Sequence, residues 1–496
     1  MEAVPDAMIL NLIKSALRNK IFWYLVSRYL TFGIQFISSI YIAVKLGAYY
    51  FGIWSFVLLL INIGNQFNWG IGNALNIIYV QNKNDQTKCR CYCFNAMLLT
   101  FLIMIPVILF TLYERIFGFV YFQKYQLGNM IYGIALVICL NYVNTLLMNI
   151  SRVKGHVFAI AFNQSVFPVL TLILMFCTNG MVLLYLLLGG YVVAMLLSAL
   201  LYLIENEITW SEKVSWNVMC EIARKGLYLF FYNTCFYLIV LSTKTIVSYY
   251  YSVEEFGYFA FAFGLANAAM MLIDSLVFLA FPKMIDMMRG ENKDAIQQKI
   301  DFLRTTYCTA VSCVVYLAIP CCYFLLKLVP KYQHSFPYFT GILLSLAVYS
   351  NCFGYNTYLL AKNKEKTIAI CAACALLSNI ILTYFLSEIL HLGLEYCVCG
   401  LLITYFAYTL AVNQCAQKEL WKNKKVKIRG PGRFCALVVP FLITFILLYA
   451  NLFILMIWLP FVSFSLLNIK HLKSLFNQII LLIFNQKRIE LDNNIG

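Results

Sequence analysis

Apolar stretches about 20 residues long recur along the chain from Ile21 to Leu467, separated by short polar loops. That length crosses a bilayer as helix, and a soluble core does not need so many runs of it. The pattern predicts fourteen spans, at 21–44, 51–80, 94–113, 128–150, 157–178, 181–203, 226–250, 257–282, 305–328, 337–361, 367–387, 394–416, 434–450 and 452–468. The expected fold is an all-α integral membrane protein. The first apolar segment starts late, contains Arg28 and Gln35 and has no small-residue cleavage site after it, so it reads as a retained helix.

Polar positions inside the spans are costly in lipid and usually face a bundle interior or a wet cavity. At about 100° per residue, several of them share a helix face. In span one the stripe is Tyr24, Arg28, Thr31, Gln35, Ser38 and Ser39. In span two it is Asn62, Asn65, Gln66, Asn73 and Asn76. In span seven it is Asn233, Tyr237, Lys244, Ser248 and Tyr251, and span eight adds Asp274. The Asn, Gln and Ser positions equally suit plain interhelical hydrogen bonding. Lys244 is also within snorkelling reach of the outer surface.

The chain repeats itself. Phe51-Gly52 opens span two and Phe256-Gly257 opens span eight. The loop Asn82-Lys83-Asn84-Asp85 matches Asn292-Lys293-Asp294, and Arg152-Val153-Lys154 matches Lys362-Asn363-Lys364, all in the same order. The repeat predicts two pseudo-symmetric six-helix lobes in parallel orientation around a central cavity, plus two C-terminal helices. Parallel repeats are a transporter pattern, with substrate handled at the repeat interface. The predicted divisions are 1–205 for the first lobe, 206–225 for an inter-lobe linker, 226–417 for the second lobe, 418–433 for a basic linker and 434–496 for two extra spans with an amphipathic tail. In that tail Lys470 and Lys473 suit the headgroup layer while Leu472, Leu475 and Phe476 dip below it.

Charge fixes the sidedness. The chain is 62% hydrophobic and 12% charged, with 37 Lys and Arg and a net charge of +16. With fourteen spans, nearly all the basic residues fall on one face. The exceptions are Lys45, Arg115, Lys124, Lys327 and Lys331 on the other face, and Arg28 and Lys244 inside spans. The basic face is cytoplasmic by the positive-inside rule, which puts both termini there. The net charge then reflects topology and attraction to anionic lipid. A nucleic-acid partner does not fit charges scattered over many short loops. The 18 cysteines sit mostly within spans or on the cytoplasmic face, which disfavours disulfides. The run Cys89, Cys91 and Cys93 lacks the spacing of a zinc site. No cofactor is called for. The longest predicted outer loop, Glu114 to Leu127, is too short to fold into a catalytic domain.

Arg28 in the inner half of its span, Lys244 in the outer half, and Arg152, Lys154, Arg224 and Lys225 at the inner mouth outline a cationic route. Such a route suits phosphate, because Arg offers a fork of donors and Lys a point charge. Gln35, Asn62, Gln66, Asn73, Asn233 and Tyr237 beside it suit hydroxyl-rich sugar. Asp274 reads either as an ion-pair partner or as the coupling site for a proton or sodium gradient.

The two six-helix halves, the cation in the first helix, the Phe-Gly start of the second and the short basic loops resemble the Wzx-type O-antigen and polysaccharide flippases. These belong to the multidrug/oligosaccharidyl-lipid/polysaccharide exporter superfamily, and the resemblance runs to about residue 416. It implies translocation of an undecaprenyl-pyrophosphate-linked oligosaccharide from the inner to the outer leaflet of a bacterial plasma membrane by alternating access. It also implies Arg28 as a pyrophosphate ligand, a lipid-tail groove formed by the two extra helices, and a polysaccharide polymerase and chain-length regulator as partners. Two other readings stand beside it: a cation-coupled multidrug antiporter of the same fold, and a membrane glycosyltransferase or polymerase. The single intramembrane carboxylate argues against the first, and the short outer loops against the second.

Overall fold

The structure, a computed structural model, describes residues 20–82, 85–206, 213–288, 292–421, 431–449 and 456–484. Among these residues the secondary structure is helical, with no strand. A helix satisfies every backbone donor and acceptor within its own segment, which a bilayer requires. Among the described residues, eight helices combine enough length and apolarity to cross a membrane, and two further apolar helices are shorter.

The helices are α1 (Lys20–Gln66), α2 (Ile71–Gln81), α3 (Gln86–Phe117), α4 (Val120–Lys124), α5 (Met130–Lys154), α6 (Val157–Leu174), α7 (Gly180–Asn206), α8 (Trp216–Tyr250) and α9 (Val253–Met287). They continue with α10 (Lys293–Leu328), α11 (Ser335–Tyr349), α12 (Phe353–Ala361), α13 (Glu365–Tyr384), α14 (Leu394–Trp421), α15 (Pro431–Tyr449), α16 (Leu459–Leu467) and α17 (Ile469–Phe484).

α1 holds two arms. Gly47 sits at φ 70, ψ 169, a conformation open to glycine and costly for other residues, and it separates predicted span one from span two. Loop residues start several helices: Asp85 accepts from Lys88 N at 3.1 Å at the head of α3, and Asn292 accepts from Asp294 N and Ala295 N at the head of α10.

Span two departs from expectation. It is not one helix over 51–80. α1 stops at Gln66, Trp69 and Gly70 take positive φ of 50° and 64°, and α2 restarts at Ile71. The Asn68 side chain accepts from Gly70 N at 2.8 Å, which fixes the turn. The predicted stripe therefore splits, with Asn62 and Gln66 on α1 and Asn73 on α2. The join between predicted spans 434–450 and 452–468 lies outside the described residues, and only Leu459–Leu467 of the fourteenth span forms a described helix.

The described chain separates into two compact units, each drawing on both sequence halves. One takes in Ile37–Ala262 and Glu365–Thr404. Here α5 packs on α7, α6 on α7, and α8 on α13 and α2. The other draws on the described parts of Met1–Phe36, Phe263–Lys364 and Tyr405–Gly496. Here α10 is the central post. It packs against α11 and α12, and the late helices α16 and α17 lie along it, with the Tyr316 and Phe464 ring centres 5.4 Å apart.

Candidate functional site

The repeated Phe-Gly motifs meet each other in the Ile37–Ala262 unit. A Cβ built on Gly52 would sit 2.1 Å from the carbonyl oxygen of Val253. A Cβ built on Gly257 would sit 2.1 Å from the carbonyl oxygen of Ala48. The contact is reciprocal, because Ala48 precedes Gly52 by the same four residues as Val253 precedes Gly257. Backbones approach this closely only where neither helix carries a side chain. Aromatic rings flank the crossing: Phe51 meets Phe261 edge-on at 6.0 Å, and Phe56 meets Phe256 at 6.5 Å.

The predicted outer loop after α3 braces this crossing. Lys124, at the end of α4, donates to Ser248 O at 2.8 Å and Tyr249 O at 2.9 Å, and also to Tyr251 O. A cation on the last carbonyls of α8 satisfies groups that have no partner within the helix. Tyr125 donates to Ser248 O at 2.8 Å and stacks on Phe56 at 3.9 Å. Burial lowers the Lys124 pKa. Lys45, placed by the sequence on the outer face, donates to Met175 O at the end of α6.

On α8, Lys244 is half-buried and Tyr237 is exposed. The side chains of Arg28 and Asn233, two of the predicted contacts, lie outside the described residues. Gln35, Asn62 and Gln66 are half-buried, and Asn73 is exposed. Asn76 donates to Asn149 Oδ1 at 3.4 Å, one of the helix-gluing contacts that span-two asparagines also suit. Asp274 on α9 is exposed and close enough to Tyr307 to interact with it electrostatically.

At the predicted inner mouth, Arg152, Lys154 and Arg224 are exposed. Two of the mouth cations also hold local structure. Lys154 donates to Asn206 O at 2.6 Å, and Lys225 donates to Glu221 Oε1 at 2.8 Å. Glu221 also accepts from the Tyr92 hydroxyl at 2.7 Å. The bonds from Lys225 and then Tyr92 hold the Glu221 carboxyl below its ordinary pKa. Asn95 ties the linker to α3, donating to Lys213 O at 3.2 Å and accepting from Ser215 N at 2.8 Å.

Sequence reasoning missed one buried polar centre. Asn379 on α13 donates to Ile239 O at 3.1 Å, Ser242 Oγ at 3.0 Å and Thr243 Oγ1 at 2.8 Å on α8, and accepts from Thr404 of α14 at 3.3 Å. It joins three helices, and its partner Thr243 directly precedes Lys244 in the chain. The available signal was an Asn in a largely apolar stretch, with Thr404 in the next predicted span.

The profile of the family described as "Polysaccharide biosynthesis protein" matches residues 46–329, more than half of the chain. The chain belongs to that family. No curated protein matches it at the sequence level. Among solved structures it is similar to the lipid II flippase MurJ in an inward closed conformation, with TM-score 0.66, 13% identity, and coverage of 92% of this chain and 99% of that one. It is also similar to an inward-facing MATE-family multidrug resistance transporter of the MOP superfamily, with TM-score 0.61, 12% identity, and coverage of 81% and 100%. A MATE transporter in a bent conformation gives TM-score 0.54 at 11% identity, covering 83% and 96%. At these identities the likeness shows the fold alone, a multi-pass helical membrane fold shared with those proteins.

Proposed function

We propose that the protein is a flippase that moves an undecaprenyl-pyrophosphate-linked oligosaccharide repeat unit from the inner to the outer leaflet of a bacterial plasma membrane, for O-antigen or capsule assembly. The observation that carries this reading is the pairing of polysaccharide-biosynthesis family membership with a transporter fold. One fold neighbour is itself named a lipid flippase. A bare pyrophosphate desolvated in hydrocarbon is prohibitively costly, so a carrier must supply replacement partners. Arg28 and Lys244 are assigned to the pyrophosphate. Gln35, Asn62, Gln66, Asn73, Asn233 and Tyr237 are assigned to the sugar, with Arg152, Lys154, Arg224 and Lys225 at the entrance. The cycle is alternating access, and the reciprocal glycine crossing at Gly52 and Gly257 has the form of a seal that separates when the outer side opens. Lys154 and Lys225 serve entry while also fastening the helix ends they contact.

Gene deletion complemented by wild type, Arg28→Ala or Lys244→Ala tests the reading. Surface polysaccharide and inner-leaflet prenyl-linked repeat units are quantified together. Surface loss with accumulated lipid-linked units, restored by wild type and not by Arg28→Ala at equal expression, is the expected result. Unchanged surface polysaccharide moves the assignment to a cation-coupled exporter of the same fold. Loss without any lipid-linked intermediate points to an assembly enzyme.

A further inference from the structure

The unit built around α10 contains an apolar recess of about 420 Å³. Its walls include Phe32, Gly33 and Phe36 of α1, Met271 of α9, Cys321 of α10 and Phe339 of α11. The volume lies within the roughly 300–1,000 Å³ range of small-molecule sites. The recess is made by small residues. A Cβ built on Gly33 would meet nothing within 4 Å, whereas most helix-packing positions are filled.

The lining chemistry selects the occupant. All twelve lining residues are apolar or thiol-bearing, so water inside would lack the two to four polar partners it needs. Left empty, the walls forfeit dispersion contacts along their whole length. A drug-like cation would need a carboxylate, and none lines the recess. What remains is hydrocarbon. Aromatic walls with a Met thioether and a Cys thiol form a soft, adaptable surface suited to a methyl-branched, kinked chain. Arg28 precedes Phe32 by one helical turn of α1, about 6 Å along the axis.

We propose that this recess is a binding site for a single hydrocarbon chain, and that its occupant is the polyprenyl tail of the carrier lipid. The assignment of the tail rests on the flippase reading. It places the tail on α1, α9, α10 and α11, and not on the two extra helices, where the family resemblance puts a groove. Tail and headgroup would then be held on one helix, α1, so movement of that helix acts on both.

Purified full-length protein in nanodiscs tests this with polyprenyl phosphate as the probe. Cys321 is exposed, so its alkylation by a lipophilic maleimide, read by peptide mass, reports occupancy. At a probe concentration about ten times its Kd, alkylation of Cys321 should slow about tenfold by mass action. The same concentration of a diacyl phosphatidate should leave it unchanged. Gly33→Phe, which fills the open space, should abolish the protection while the variant still elutes as a single species. Equal protection by phosphatidate would overturn the carrier assignment and make the recess a site for bilayer lipid. Absence of protection by either lipid would overturn the site itself. In a variant that loses its fold, a diazirine-bearing polyprenyl phosphate on wild type decides the question: cross-links within 32–36, 265–271 and 318–325 support the site, and cross-links confined elsewhere sink it. The flippase reading fails on different data, namely normal polysaccharide export in the deletion strain.

Discussion

The crossing at Gly52 and Gly257 and the recess at Gly33 use the same residue for opposite ends. At the crossing, glycine removes a side chain so that two backbones can touch, and an added Cβ would meet a carbonyl oxygen at 2.1 Å. At the recess, glycine removes a side chain and nothing takes its place within 4 Å. The first position closes space and the second keeps it open. A glycine in a membrane helix therefore carries no fixed meaning in the sequence alone. Its role depends on what the fold brings opposite it.

The largest expected effect comes from filling the crossing. Gly52→Ala or Gly257→Ala must push a carbonyl from 2.1 Å to at least the 3.4 Å of ordinary contact, against backbone and not against a flexible side chain. The cost should sit at or above the upper end of overpacking, about 3 kcal/mol. Thermal unfolding of the detergent-purified protein, with membrane yield as a second readout, checks it. Because both substitutions wedge the same two helices, the double variant should lose less than the two single losses combined. Additive losses would show that the two contacts are independent and break the reciprocal picture.

That crossing was partly legible. The Phe-Gly doublets stood out in the sequence, 205 residues apart, and the structure brings them face to face. The helical class was equally plain, because runs of that length and apolarity have one stable form in lipid. The break at Trp69-Gly70 was not legible. Its polar and apolar positions continue a helical stripe through the turn, and the local Asn68 bond is joined there by a close neighbour distant in sequence. A Cβ on Gly70 would lie 2.5 Å from the carbonyl oxygen of Gly226, and one on Gly226 would lie 2.5 Å from that of Trp69. Asn379 escaped for a related reason. Stripe counting favours helices with several polar residues, while Asn379 gathers its partners from two other helices.

Asn379 gives the next effect in size. Asn379→Leu removes the amide's bonds to α8 and leaves the buried Thr404 hydroxyl to find another partner, while Thr243 keeps its bond to Ile239 O. Interhelical polar contacts in membrane proteins are worth about 0.6 kcal/mol on average and up to about 1.7. The structure places Asn379 at the upper end, because one side chain serves three helices. A loss near that figure in unfolding by denaturing detergent is expected. A loss as large as that of Gly52→Ala would mean that polar bonding, and not close backbone packing, holds this unit together.

Gly33→Ala sharpens the contrast from the other side. The added methyl meets nothing, and alanine is the better helix former by about 0.8–1.0 kcal/mol in a helix interior. A small gain in stability is expected, read in the same unfolding assay that shows the large loss at Gly52. A loss would place a neighbour where the recess is drawn.

The smallest effect concerns the inner end of α8, where Glu221 takes bonds from Lys225 and Tyr92. These bonds lower its pKa, so the folded carboxyl stays ionised to more acid pH than the unfolded one. The sign follows directly. The stability from this group is fully present above the unfolded value, about 4.3, and disappears as pH falls through the lower folded value. Glu221 is 41% exposed and Lys225 40%, so solvent screens the pair and its worth stays below about 1 kcal/mol. Glu221→Gln should lower the unfolding temperature slightly at pH 7, and the gap from wild type should close as the pH is taken below about 4. Salt should narrow the gap at pH 7 in the same way, since an exposed pair is screened. A gap that holds at low pH would show that the loss comes from packing of the side chain and not from its charge. In that case the Tyr92 hydroxyl bond, which Gln can still accept, would become the contact to test with Tyr92→Phe.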